Sequence, residues 1–377
     1  MRRTVRSAAP AAVTTALTAL LLAPPASAAA APAGPAERPA SGPAAADGDR
    51  GGWQRWDGSP GGSPDGDRGG WGRWGGSPGG PPGERGGWGC WWGGGCPDLP
   101  ETVPLPTGSL PEGITEGWGT TFYAGSRADG SVVRGDLRTG ASSELVPGVP
   151  GRVAVGVRYD RWNDRLWVAG GATGAVTAYD GTTGAELGRW VVPGSGFLND
   201  VEVTREGVFV TDSAVQRLVV VPLGADGALP AADGARTLPI TGDLVYGEGF
   251  NANGVRAYRG ALVVTQSSTG DLFRVDPVTG VSDRIEVAGR DLTAGDGLVL
   301  RGRTLHVVYG FSTDSAAVVR LSPDGRSGEV VGEVSDPDLD RPTTGVLAAG
   351  ALWLVNGRFA VADPAAAEYQ VVRVDLR

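Results

Sequence analysis

The sequence predicts an all-β fold, a six-bladed β-propeller closed by an N-terminal strand, and three observations lead there. Past residue 98, short apolar runs separated by turn residues recur with a period of roughly 40 to 55 residues, the length of one four-stranded blade. Helical periodicity is almost absent from the same stretch, where Asp-Gly, Thr-Gly and Asp-Pro steps punctuate the chain as hairpin turns do. Lastly, 369-YQVVRVDLR-377 reads as a blade lacking its outer strand, while an orphan fragment, 101-ETVPLPTG-108, precedes the first unit and resembles the blade-ending 144-ELVPGVPG-151. Pairing the two ends closes the ring and removes the open edges of a sheet.

Taken in order, Met1 to Arg6 holds three arginines, residues 11–23 are rich in alanine and leucine, and Ala26-Ser27-Ala28 is a small-residue cleavage pattern. Residues 1–28 therefore read as a secretory signal peptide, and the mature chain is expected to be secreted or held at the cell envelope. No later stretch approaches 18 apolar residues, so no membrane span is expected. Residues 29–97 are alanine, proline and glycine without apolar period, a composition that cannot offset its own ordering entropy and predicts a disordered linker. Within it, 50-RGGWQRWDGSPGG-62, 68-RGGWGRWGGSPGG-80 and 85-RGGWGCWWGGGC-96 repeat one unit that carries seven of the twelve tryptophans. The arm reads either as a segment that stacks on cell-wall sugars or as a plain spacer. Cys90 and Cys96, the only cysteines, enclose five residues and suit a local disulfide in an exported chain.

The propeller itself is expected over 98–377. Its six apolar runs are Phe122-Tyr123-Ala124, Leu166-Trp167-Val168-Ala169, Val208-Phe209-Val210-Thr211, Leu262-Val263-Val264-Thr265, Leu305-His306-Val307-Val308 and Leu352-Trp353-Leu354-Val355. Further alternating strands follow in 131-SVVRGDLRTG-140, 175-AVTAYDGTTG-184, 271-DLFRVDPVTG-280 and 317-AVVRLSPDG-325. Trp118, Trp162, Trp167, Trp190 and Trp353 are expected to pack between blades, and His306 between strands.

Composition narrows the chemistry. There is no lysine and only one histidine, His306, so a lysine Schiff base or a multi-histidine zinc site cannot be assembled. A net charge of -9 argues against nucleic acid or an anionic membrane surface as partner.

One register stands out. Just before four inner strands come Pro111-Glu112-Gly113-Ile114, Leu198-Asn199-Asp200-Val201, Ala252-Asn253-Gly254-Val255 and Gly295-Asp296-Gly297-Leu298. The same units end their apolar run at Gly125, Asp212, Gln266 and Tyr309, each 13 residues beyond the acid or amide. Glu112, Asn199, Asn253 and Asp296 thus share one position in four blades and are expected to converge on the central channel. The second and sixth blades offer Gly151-Arg152-Val153 and Thr344-Gly345-Val346 at the corresponding step, without a strong ligand. Two carboxylates facing each other in a partly desolvated channel repel, and a hard divalent cation accepting their oxygens relieves that cost. Calcium suits an all-oxygen set that leaves room for water or substrate. The same steps also suit ordinary turns, which favour Asn, Asp and Gly but not Glu112.

At these residues the chain resembles the calcium-dependent six-bladed propellers that include gluconolactonases, the senescence marker protein (regucalcin), diisopropylfluorophosphatase and the paraoxonases, above all over 197–213 and 253–276, and looks closest to little-characterised exported bacterial members. The resemblance implies a catalytic calcium held by Glu112, Asn199, Asn253 and Asp296. It further implies hydrolysis of a lactone, ester or phosphotriester, with Asp296, Asp200 or Asp212 as general base or nucleophile. The sequence departs from those relatives in lacking histidines near the metal and in placing Phe197 where an arginine meets sugar acid in the senescence marker protein. Two functions compete: an exported calcium-dependent hydrolase taking a small molecule at its channel as a monomer, and a non-enzymatic, metal-stabilised propeller binding a ligand or partner at the envelope. A superoxide dismutase, a label such relatives carry, needs several histidines or a cysteine hook that this chain lacks.

Overall fold

The computed structural model describes residues 99–376. The expected signal peptide, Trp-rich arm and Cys90–Cys96 pair lie outside the described residues. Within them, every regular element is a strand.

A short strand β1 (Thr102–Leu105) comes first. Then follow antiparallel meanders of four strands: β2 (Pro111–Glu116), β3 (Thr121–Ser126), β4 (Val132–Asp136) and β5 (Ser142–Val146); β6 (Val157–Asp160), β7 (Arg165–Ala169), β8 (Ala175–Asp180) and β9 (Glu186–Val191). The third comprises β10 (Leu198–Val203), β11 (Gly207–Asp212), β12 (Arg217–Pro222) and β13 (Arg236–Pro239). After a two-residue strand β14 (Thr241–Gly242) come β15 (Ala252–Tyr258), β16 (Ala261–Gln266), β17 (Asp271–Val275) and β18 (Val281–Ala288), then β19 (Gly295–Arg301), β20 (Thr304–Tyr309), β21 (Ser315–Leu321) and β22 (Ser327–Ser335). These nine strands form one sheet, because β18 and β22 pair in parallel through Glu286–Ser327 to Ala288–Glu329. The last sheet joins β23 (Pro342–Ala348), β24 (Ala351–Asn356) and β25 (Tyr369–Val374) to β1, with Thr102 opposite Val372 and Leu105 opposite Tyr369.

The arrangement is propeller-like. The first strands of successive meanders touch in the order β2, β6, β10, β15, β19, β23 and back to β2. Apolar residues fill the spaces between neighbouring sheets. Trp167 and Trp190, with ring centroids 5.5 Å apart, lie in one cluster with Val201, Val208 and Val219 of the next sheet. Trp353 and Val371 of the last sheet share a cluster with Ile114 and Phe122 of the first. Trp118 and Trp162 correct the expectation of inter-blade packing, being 62% and 68% exposed. Both sit at the tips of hairpins, beyond the reach of a neighbouring sheet face, and the guanidinium of Arg161 lies 5.3 Å from the Trp118 ring. His306, opposite Val299 and Val318, is buried between strands.

Three outer hairpins share one local solution. In 136-DLRTG-140, 180-DGTTG-184 and 276-DPVTG-280, Oδ1 of the aspartate accepts the backbone N–H groups two and three residues on, at 2.7 to 3.1 Å. The closing glycines have φ of +72, +72 and +73°, a conformation that strains any residue with a Cβ.

Candidate functional site

The inner strands carry a repeated irregularity. Register shifts between Pro111 and Ile114 in β2, Leu198 and Val201 in β10, Ala252 and Val255 in β15, Gly295 and Leu298 in β19, and Pro342 and Gly345 in β23. Each is a β-bulge, a device that re-aims a side chain out of the regular pleat. The first bulge residue is Glu112, Asn199, Asn253, Asp296 or Thr343, so the bulges give these residues a common structural position, which the 13-residue spacing marks for Asn199, Asn253 and Asp296.

Two assignments shift by a residue or more. In the sixth unit the bulge begins at Thr343, not Thr344. In the second, Val155-Gly156 approaches the neighbouring bulges, not Gly151-Arg152-Val153: a Cβ at Gly113 would overlap the Val155 carbonyl, and one at Gly156 the Asn199 carbonyl. In the first, Ser126 instead of Gly125 stands opposite Pro111, because the β2–β3 hairpin is one residue longer than the others. The second bulge residue is glycine at 113, 254 and 297 because the adjacent strand's backbone or Thr344 occupies the space a Cβ needs. Oγ1 of Thr343 donates to the Glu112 carbonyl at 2.5 Å, which links the last meander to the first.

All four predicted ligands are buried: Glu112 is 9% exposed, Asn199 4%, Asn253 3% and Asp296 3%. The amides are held from behind. Nδ2 of Asn199 donates to Oγ of Ser213 at 3.0 Å and Nδ2 of Asn253 to Oγ of Ser267 at 3.0 Å, while these hydroxyls donate to the Ala252 and Gly295 carbonyls at 2.7 and 2.6 Å. With its nitrogen fixed, each amide keeps its oxygen as an acceptor awaiting a donor or cation. Where the fourth position carries a carboxylate, the serine is replaced by Gly310, whose missing Cβ leaves room for Oδ2 of Asp296.

Electrostatics link the two carboxylates of the register. Burial pushes Glu112 well above the usual carboxylate range, and the charge of Asp296 adds to the effect, opposed by Arg127. Burial also pushes Asp296 up to about 7, against a hydrogen bond from Asn253 and the attraction of Arg127. The carboxylates therefore feel each other, and uncompensated charge there is costly.

The remaining predicted catalytic residues have other commitments. Oδ2 of Asp200 accepts from the Val255 N–H at 3.0 Å and from Nη1 of Arg256 at 2.9 Å, tying β10 to β15. Asp212, fully buried, accepts from the N–H groups of Gly196, Phe197, Ala214 and Val215 and lies 3.4 Å from Nε of Arg217. It clamps the loops beside β10, and both oxygens are spoken for. Gln266 donates to the Val245 carbonyl and to Oδ1 of Asn251. From Asp200 a chain of ion pairs runs through Arg256, Glu202, Arg158 and Glu116, with Arg158 Nε 3.3 Å from Glu202. A cavity of about 220 Å³ opens there between Glu116, Arg158, Arg256 and Arg301.

Sequence reasoning missed Arg127, Ser213, Ser267 and Thr343. The serines were within reach: 211-TDS-213 and 265-TQS-267 align once the strand ends are superposed, with 308-VYG-310 beside the acid. Among the described residues no group of three or more His, Cys, Asp or Glu is placed to hold a metal ion; the ring offers two carboxylates and two amides instead.

No protein-family model matches the sequence, and no curated protein matches it. Solved structures do. The crystal structure of the major Malassezia sympodialis allergen Mala s 1 superposes with a TM-score of 0.57 at 12% identity, covering 74% of this chain and 97% of the allergen. A structural-genomics protein of unknown function from Bacteroides thetaiotaomicron gives 0.51 at 13% identity, over 70% of this chain and 69% of that one. Virginiamycin B lyase from Staphylococcus aureus gives 0.49 at 15% identity, over 68% and 81%. At such identities the likeness speaks to the fold alone.

Proposed function

We propose that residues 98–377 form a six-bladed propeller of an exported, calcium-dependent hydrolase acting on a lactone, ester or phosphotriester. The blade count follows if the nine-stranded sheet is read as two blades joined at their outer strands, in keeping with the closed order of the inner strands. The observation that carries the function is the ring of Glu112, Asn199, Asn253 and Asp296 on equivalent bulges, with Ser213 and Ser267 holding the amide nitrogens.

This donor set fits a hard divalent cation. It is all oxygen, its two carboxylates are buried and mutually repelling, and its amides have an oxygen left over. Glu112 and Asp296 would supply the anionic oxygens and Asn199 and Asn253 the neutral ones. The ion, when bound, supplies a Lewis acid for a carbonyl or phosphoryl oxygen. The Thr343 bond and the bulge glycines, which hold the inner strands close at the bulges, support a meeting of the four side chains. Of the expected bases, Asp296 is the one in the ring, where its carboxylate would take the proton of an attacking water.

The test uses the full chain, calcium or EDTA, and a panel of lactones, aryl esters and phosphotriesters. Turnover that EDTA abolishes and Asp296→Asn reduces by roughly 100-fold or more is expected; calcium binding without turnover on any class would sink the hydrolase reading. A second reading, a metal-stabilised binding propeller, draws on the exposed Trp118 and Trp162 at neighbouring hairpin tips. Loss of envelope-polysaccharide binding in a Trp118→Ala, Trp162→Ala variant, with no hydrolysis by the wild type, would favour it.

A further inference from the structure

Two charged groups at the ring lie outside the donor set: Asp200, which Arg256 matches, and Arg127, which forms no ion pair among the described residues. Its backbone N–H donates to the Leu110 carbonyl at 3.0 Å, two residues before Glu112, and it follows Ser126, the residue opposite Pro111. Its guanidinium carbon lies 4.5 Å from the centroid of the Phe359 ring, which itself stacks on Phe311 at 4.7 Å and 16°. Phe311 directly follows Gly310, the residue that makes room for Asp296, and Phe359 lies against the Gly357 backbone beside Thr343. All three side chains thus leave from strand ends on the bulge side of the ring. A second aromatic pair, Phe197 and Phe250, sits edge to face at 5.4 Å just ahead of β10 and β15, at the same end.

Two features set this arginine apart from a structural one. Its Nε is shut off from solvent and has no hydrogen-bond partner, although the residue as a whole is only half-buried. Arg158 and Arg256, farther down the channel, are matched with Glu202, Glu116 and Asp200. A guanidinium held over an aromatic ring, with its Nε unmet, is suited to gripping a carboxylate or phosphate. The charge count points the same way. With Asp200 matched by Arg256, a divalent cation would cancel Glu112 and Asp296, and Arg127 would leave the mouth with one net positive charge.

Resting on the reading of the ring as a cation site, we propose that Arg127, backed by Phe359 and Phe311, is the anion-binding and specificity-determining residue of this mouth. The ligand it selects is an organic monoanion whose acidic group meets the guanidinium and whose apolar body lies against the phenylalanines.

Titration calorimetry on the full chain, with phenylacetate and its neutral analogue phenylacetamide as probes, tests this with calcium and again with EDTA. Wild type should bind phenylacetate about tenfold or more tighter than phenylacetamide. Arg127→Gln should erase that preference by weakening phenylacetate alone, and Arg127→Lys should retain part of it. Phe359→Leu, which keeps the charge, should weaken both probes. Equal affinity of wild type for the two probes, no binding of either, or an Arg127→Gln variant that still prefers phenylacetate would overturn the proposal, and the wild-type comparison decides even if Arg127→Gln fails to fold. Calcium heats measured in the same preparations separate the two ideas: Arg127-dependent discrimination without calcium binding removes the cation and leaves the anion site, and calcium binding without discrimination does the reverse.

Discussion

Asp180 and Asp276 at the outer hairpins, and Glu112 and Asp296 in the inner ring, are the same chemical group in opposite settings. At the hairpins the N–H of Thr183 or Thr279 points at the carboxylate, favours its charge and lowers its pKa. In the ring burial dominates, like-charged neighbours add to it, and the pKa rises despite Arg127 and, at Asp296, a hydrogen bond from Asn253. An aspartate in a turn serves the backbone that donates to it, whereas a buried pair with few donors is a standing cost that the fold maintains for something outside itself.

The sharpest way to break this comparison is to supply the missing charge. Calcium at about 100 times its Kd should stabilise the chain by ~2.7 kcal/mol, a rise in Tm of roughly 5 °C for a domain of this size. Glu112→Gln should abolish that rise while raising Tm in EDTA, since it removes one of two repelling charges. An unchanged Tm on adding calcium to wild type would end the cation reading.

The pH dependence comes next in size. Folded Asp296, raised to about 7, keeps its proton longer than the unfolded chain does. In EDTA the ring's contribution is therefore fully present below the unfolded carboxylate range near ~4 and is lost as pH climbs through about 7. Asp180 and Asp276 behave oppositely, holding their contribution above that range and losing it as pH falls. Thermal melts between acid and neutral pH should show the neutral-side loss in EDTA and its suppression by calcium; a flat profile in EDTA would mean the ring carboxylates are already compensated.

Smaller effects follow from the serines. Ser213→Ala or Ser267→Ala frees an amide nitrogen and should cost about 1–2 kcal/mol and weaken calcium binding about tenfold, read by calorimetry. Smallest of all, Asp276→Asn at an exposed turn should change stability by about 0.5 kcal/mol or less and leave the calcium response intact. A calcium response that followed Asp276 instead of Ser267 would invert the comparison.

Much of this was legible in the sequence. The all-β character, the pairing of 101–108 with the final strand and the common position of Glu112, Asn199, Asn253 and Asp296 follow from turn residues and a period. One register error has a plain physical source: a bulge adds a residue to one strand only, so counting along the chain loses register where the hairpin length also changes, and Ser126 replaces Gly125. The sixth hairpin matches the others, with Pro342 opposite Asn356, so Thr343 was countable from the strand end, while the inner strand after Val155 pairs without a bulge and offered no such mark. Arg127 escaped notice because its role comes from Phe359, more than 200 positions away in the chain. Trp118 and Trp162 were misread because a tryptophan's size says nothing about whether a neighbour covers it.

The bond from Thr343 to the Glu112 carbonyl and the pairing of β1 with β25 bring opposite ends of the domain's sequence together. During synthesis, then, the earliest segment must wait for the latest before the circle is shut, and no nascent fragment can assemble the whole site. Closure of the ring itself marks completion, since only a molecule whose final strand has arrived can make it.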